Sequence, residues 1–266
     1  MGNAKDLYAF VSDALPAAMQ GDARAAWAIS QALARCSAIN LMFHGSTDPS
    51  TLLAAEERAH MSPNDPQWIR DLLEAKAKMC QKLATTDPFA GLSQQAGGYP
   101  ISYWRNLALS DGDGIAVVGA AGTTLSVGIK WGNTLTPAET ATLQTIQTQL
   151  RAAVQAGDPE VLFYAGMLLI NGEYAVNPVD GAALALAACG MGYDCSGSNP
   201  LLPWHNCQYS GACPANADFS YFLQTTGMAS EYGQAYQEAQ QIEQGLQQGD
   251  PSAAEAAVRL RIPKDS

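Results

Sequence analysis

Four times the chain ends an alanine-rich or amphipathic run on the pair Gly-Asp: AAMQGD (Ala17–Asp22), ALSDGD (Ala108–Asp113), AVQAGD (Ala153–Asp158) and GLQQGD (Gly245–Asp250). Glycine ends a helix because it adopts the left-handed conformation without a Cβ penalty. An aspartate just after it can start the next helix by accepting a hydrogen bond from one of its free N–H groups. Pro159 and Pro251 then occupy a first helical position, where a missing N–H costs nothing. The glycines stand at 21, 112, 157 and 249, so the intervals are 91, 45 and 92 residues, and the long ones are about twice the short one. Two degenerate copies are therefore expected near 66 and 203, where NDPQW starts at Asn64 and SNPLL at Ser198. The period predicts an all-α chain of roughly six degenerate helix pairs of about 45 residues, stacked as a right-handed α-solenoid.

Apolar periodicity agrees. Leu7, Phe10, Val11, Ala14 and Ala18 form one stripe, and Trp68, Leu72, Met79 and Leu83 another. Thr136, Pro137 and Glu139 spell a capping box that opens a helix with Leu143, Ile146, Leu150 and Ala153 on its inner face. Tyr232, Ala235, Ala239, Ile242 and Leu246 repeat the spacing near the C-terminus. Gly114–Gly132 is the exception: its Val, Ile, Thr and Gly content suits a β-hairpin, whereas its position after Gly112-Asp113 demands a helix. The helix is the expected outcome. The chain is read as one domain over 1–266, with residues 1–92 and 93–266 as sub-units.

Residues Gly157–Gly192 resemble a Sel1-like repeat, a relative of the tetratricopeptide repeats, with Ala165-Gly166, Gly172, Val176, Asp180, Ala182, Ala188 and Gly192 in comparable places. Trp104, Ala108 and Gly112 match the end of that family's second helix. Leu184 stands near the family's Trp and its Lys is absent. The resemblance implies an α-solenoid that binds proteins, often with disulfide-linked helix pairs in exported bacterial members, and it carries no catalytic residues.

The six cysteines fit an oxidising compartment. Cys189, Cys195, Cys207 and Cys213 form two C-x5-C units. Zinc sites prefer two to four intervening residues and redox centres C-x-x-C, so the cluster reads as a disulfide brace around the short segment NPLLPWHNC (Asn199–Cys207). Nearest-neighbour and interlocked pairings both stay open. Cys36 and Cys80 are expected to join, in preference to a reactive Cys80 thiol activated by Arg70, Lys76, Lys78 and Lys82.

No Gly-x-Ser-x-Gly, His-Glu-x-x-His or phosphate loop occurs. His44, Ser46 and Asp48 are close in sequence, but Asp48 before Pro49 reads as a helix cap, and Glu56-Glu57 as a solvated face. The expectation is a non-enzyme without cofactor or metal. A net charge of −11 at only 15% charged residues disfavours nucleic acid; the acidic surface is expected either to keep the protein soluble or to steer a basic protein partner toward it. The solenoid's concave face is the default binding surface, with loops bearing Trp131, Trp204 and Tyr209 as alternative anchors or as core.

No run is long and apolar enough to span a membrane. MGNAKD resembles a myristoylation start except that Asp6 replaces the required hydroxyl. The expected setting is periplasmic or extracellular, after removal of an export signal, with a lipoprotein anchor as a variant. An immunity-type inhibitor of a toxin or enzyme is the leading function; an envelope scaffold and a cell-wall hydrolase are the alternatives.

Overall fold

The computed structural model describes residues 6–42, 78–83, 101–129, 134–171, 173–196, 217–225 and 227–262. Among them every named element is helical, and extended pairing is limited to one antiparallel bridge between Ala175 and Leu260. The chain is all-α in this sense. It gathers into two compact units, one made of Met1–Asp113 with Ser196–Ala217 and the other of Gly114–Cys195 with Asp218–Ser266.

The Gly-Asp pairs do what their chemistry suggests. Gly21, Gly112, Gly157 and Gly249 all have positive φ, between 64° and 93°. After Gly21 the amide of Asp22 reaches back to Ala17 O and that of Gly21 to Ala18 O, the two bonds of a Schellman motif. The same pair of bonds recurs at Gly112-Asp113 and Gly249-Asp250, and at Gly192-Tyr193, where the φ is 102°. The aspartates then open the next helix: Asp22 Oδ1 accepts from Ala25 N, Asp158 Oδ1 from Glu160 N and Val161 N, and Asp250 Oδ1 from Ser252 N.

In the first unit, α1 (Leu7–Met19), α2 (Ala23–Met42) and α3 (Ile101–Ser110) pack with α2 between its neighbours. Leu7, Val11 and Ala18 of the predicted stripe are buried, and so is Trp104 of α3. Cys36 of α2 is disulfide-bonded to Cys80 in the helical residues 78–83, across 44 positions of sequence. Asp113 is buried and its Oδ2 accepts a 2.8 Å bond from Arg24 Nε.

The second unit begins with α4 (Gly114–Thr123), which runs into a π-helical turn at Thr124–Gly128. The ambiguous segment is therefore helical this far, and residues 130–132 lie outside the described ones. Burial overrides its strand-like composition: Ile115, Val118, Ala121 and Leu125 recur at helical spacing and are buried. The hydroxyls of Thr123, Thr124 and Ser126 are accommodated by donating to carbonyls one turn back, at Gly119, Ala120 and Gly122, a bonding that bends a helix rather than favours it.

Next come α5 (Pro137–Gln155), α6 (Pro159–Asn171), α7 (Pro178–Gly190), α8 (Phe219–Thr225), α9 (Tyr232–Gln247) and α10 (Ser252–Ala257). Thr136 and Glu139 form the predicted capping box on α5. Its inner face is Leu143, Ile146, Leu150 and Val154; Val154, not Ala153, closes the stripe. A straight helix returns to the same face after 3.6 residues rather than 3.5, so the position four after Leu150 is the inward one.

The centre of the unit is α7, which packs against α6, α8, α9 and α10. Every residue from Val179 to Ala188 is buried, and a helix apolar around its whole circumference belongs in an interior. Asn177 caps it through Val179 N, with Pro178 at the first position. At its far end the disulfide Cys189–Cys195 closes the turn that carries Tyr193, whose ring stacks on Phe163 at 4.4 Å. Phe219 of α8 meets Phe163 edge-on at 5.4 Å. Of the two pairings left open for this cysteine, the structure adopts the nearest-neighbour one. Cys207 and Cys213, the short segment Asn199–Cys207, and the repeat copies expected near 66 and 203 lie outside the described residues.

Candidate interaction surface

The net charge is not spread along the chain. From Arg151 to Arg259 the sequence contains no other Lys or Arg, yet it carries 11 of the 25 Asp and Glu residues. The remaining 14 acids are balanced by the 14 Lys and Arg, so the whole −11 resides in this one stretch. Its described parts fall almost entirely in the second unit, outside Ser196 and Ala217.

The basic side chains described in that unit are turned onto its own backbone and carboxylates. After α10 the segment Val258–Ile262 runs back along the α6–α7 turn as a strap. Val176 N donates to Arg259 O, Arg261 N to Tyr174 O, and Leu260 N to Gln147 Oε1. Arg151 Nε donates to Val258 O and Arg261 Nε to Ala175 O. Arg259 grips both oxygens of Asp180 from Nε and Nη2, the shortest contact being 2.7 Å. The Asp180 side chain is only 6% exposed. Burial pushes its carboxyl above the ordinary carboxylate range, with the charge of Glu238 acting the same way, against the lowering effect of Arg259 and Asn177.

A second carboxylate is displaced in the same direction. Burial raises Glu243 of α9, and its carboxylate lies where a side chain on Gly190 would stand. Asp180 and Gly190 are ten residues apart on α7, about 15 Å at 1.5 Å per residue. Paired glycosidase carboxylates stand about 5–9.5 Å apart, so these two do not form such a pair, and Asp180 is already chelated by Arg259.

Glu243 gives a pH test with a definite sign. A carboxyl whose folded pKa is raised favours the folded state below its unfolded pKa, about 4.3, and that contribution is lost as pH rises through the folded value. Glu243→Gln should therefore raise the melting temperature at pH 7.5, and the gain should vanish by pH 4. Calorimetry at the two pH values checks it.

At the edge of the buried face of α9, the half-buried Tyr232 and the exposed Tyr236 stack on one another at 6.1 Å with ring planes 28° apart. Tyr236 is 48% exposed. Ala235, Ala239 and Ile242 face inward, so the exposed Tyr236 is not needed to fill the core. Sequence reasoning placed Tyr232 on the apolar stripe and passed over Tyr236; the signal that would have found it is an aromatic pair four apart on a glutamine-rich helix. The anchors expected from sequence, Trp131, Trp204 and Tyr209, lie outside the described residues. Among the described residues no group of three His, Cys, Asp or Glu could hold a metal ion, and no helix is long and apolar enough to cross a membrane.

Comparison with protein-family models, with curated proteins and with solved structures returns no match.

Proposed function

We propose that the protein is an exported, protein-binding helical-repeat protein that neutralises a basic toxin or enzyme, as an immunity-type inhibitor does. The observation that carries this reading is the concentration of the whole net charge in the stretch between Arg151 and Arg259, whose two bounding arginines are engaged internally. Such a surface steers a cationic protein toward it and repels nucleic acid. Sel1-like helix pairs in a right-handed solenoid are the proposed architecture. Support comes from the α6–α7 pair, the recurring Gly-Asp junctions and the period, whereas contacts from α10 back to α5 join elements that a strictly sequential stack keeps apart. The disulfides Cys36–Cys80 and Cys189–Cys195 support a periplasmic or extracellular setting.

The test is co-expression with the product of the adjacent gene, together with interferometry against it at 50 and 300 mM salt. The expected result is protection and a complex that weakens as salt rises. Absence of both binding and protection overturns the immunity reading. Equal binding to several unrelated basic envelope proteins would favour a scaffold instead.

A further inference from the structure

We propose that the partner docks on one flank of α9, with a Lys or Arg side chain seated between the Tyr232–Tyr236 stack and the Glu243 carboxylate. The proposal rests on the reading that the partner is basic, and it adds where the partner binds.

Around a helix of 3.6 residues per turn, Tyr232, Tyr236 and Glu243 fall within about 40° of one another. Tyr236 and Glu243 are seven residues apart, about 10 Å along the axis, with Gln240 between them. The stripe thus offers two aromatic faces, an amide and a carboxylate in a row. Glu231 and Glu238 stand on the opposite flank, where Ser230 Oγ and Gln234 Nε2 already bond to them.

Three observations point to a cation as the occupant. First, Tyr236 is exposed and stacks on the half-buried Tyr232, so an arriving guanidinium or ammonium finds an aromatic surface held by its neighbour, with less side-chain entropy left to lose. Second, the Glu243 carboxylate accepts no hydrogen bond from any described residue, although it is partly withdrawn from water. It lies beside Gly190, the last residue of α7, so the carbonyl end of that helix adds negative potential at the same place. Third, no Lys or Arg occurs between Arg151 and Arg259, so α9 and its sequence neighbours supply no cation of their own. The chain uses the same chemistry within itself: in the first unit Lys82 Nζ sits 4.4 Å from the centroid of the Tyr8 ring. A partner presenting Lys or Arg completes on α9 what Lys82 completes on Tyr8.

The probe is a fluorescein-labelled octa-arginine peptide, read by anisotropy against the full chain at 50 mM salt. Tyr236→Ala and Glu243→Gln should each weaken binding at least five-fold, whereas Tyr236→Phe, which keeps the ring, should stay within two-fold of the parent. Glu238→Gln removes the same charge from the opposite flank and should change binding less than two-fold. Melting temperatures of all four variants check that the fold is retained, and Tyr236 is exposed enough for its removal to leave the core intact. Equal weakening by Glu238→Gln and Glu243→Gln, with no effect of Tyr236→Ala, would overturn the docking site while leaving a diffuse acidic attraction. No binding of the peptide by the parent protein would overturn the basic-partner reading itself.

Discussion

Replacing Gly166 by alanine should destabilise the second unit by about 1–2 kcal/mol, although alanine is the better helix former. Gly166 of α6 and Gly181 of α7 face one another where the two helices cross. A Cβ on Gly166 would stand 2.5 Å from Gly181 O and 2.6 Å from Ala185 N, and one on Gly181 would stand 2.7 Å from Ile170 N and 2.8 Å from Gly166 O. These obstacles are backbone atoms, so no rotamer change relieves them, and the helices must separate. Separation would loosen the packing around α7, whose residues Val179 to Ala188 are all buried. Overpacking of this kind usually costs about 1–3 kcal/mol and sometimes more, against about 1 kcal/mol gained from propensity. At about 2–8 °C per kcal/mol, the melting temperature of the unit should fall by several degrees. Gly181→Ala should behave alike, and valine at either position should prevent the unit from folding. The control is Gly233→Ala in the first turn of α9, where an added Cβ meets nothing within 4 Å. The same substitution should there stabilise by about 0.5–1 kcal/mol, because only the propensity contribution is left. Thermal melts of the three alanine variants decide it: if Gly166→Ala melts with or above the parent, the close crossing is not what holds α6 to α7.

Where the sequence carried the signal, it was local. The Gly-Asp junctions were legible because each couples two backbone demands, a left-handed residue and a cap, within two positions, and Gly21, Gly112, Gly157 and Gly249 all have the required φ. The capping box at Thr136 and the stripe on α1 belong to the same class. Gly114–Gly128 shows how much local composition leaves open: its residues suit a strand, and burial of Ile115, Val118, Ala121 and Leu125 at helical spacing made it helical. The mutual contact of Gly166 and Gly181 had only a partial trace, since family resemblance marked Gly166 while nothing in the periodicity marked its counterpart. Asp180 was noticed as a turn residue, but its arginine lies 79 positions away and no short motif connects them. The charge distribution was hidden for another reason: a total of −11 says nothing about where the charge lies, and its meaning emerged once the three arginines of the second unit were seen to be engaged internally.

Ending the chain after Ala257 should cost the second unit most or all of its stability. The residues removed look like a loose basic tail, VRLRIPKDS, yet Val258 and Leu260 are buried and five backbone or side-chain bonds tie the strap to α5 and to the α6–α7 turn. Two buried aliphatic side chains contribute about 1.5–3 kcal/mol each. Truncation also leaves Asp180, 6% exposed, without Arg259. Breaking a buried ion pair from one side costs about 3–5 kcal/mol, and less here because the arginine is 48% exposed. Together these approach the 5–15 kcal/mol that holds a typical domain folded. The point variant Arg259→Ala separates the ionic part and should cost about 2–3 kcal/mol at neutral pH. The pH dependence identifies its origin. With the guanidinium gone, burial and Glu238 act on Asp180 in the same direction, and both raise its pKa. A raised carboxyl pKa favours the folded state below the unfolded value of about 3.9 and penalises it as pH climbs through the folded value. The deficit of Arg259→Ala should therefore shrink as pH falls toward 4, and Asp180→Asn in the same background should recover most of it at neutral pH. Denaturant melts of the two single variants and the double variant at pH 4 and 7.5 make the comparison. A deficit independent of pH, and not recovered by Asp180→Asn, would mean that Arg259 holds the strap through its packing and backbone alone.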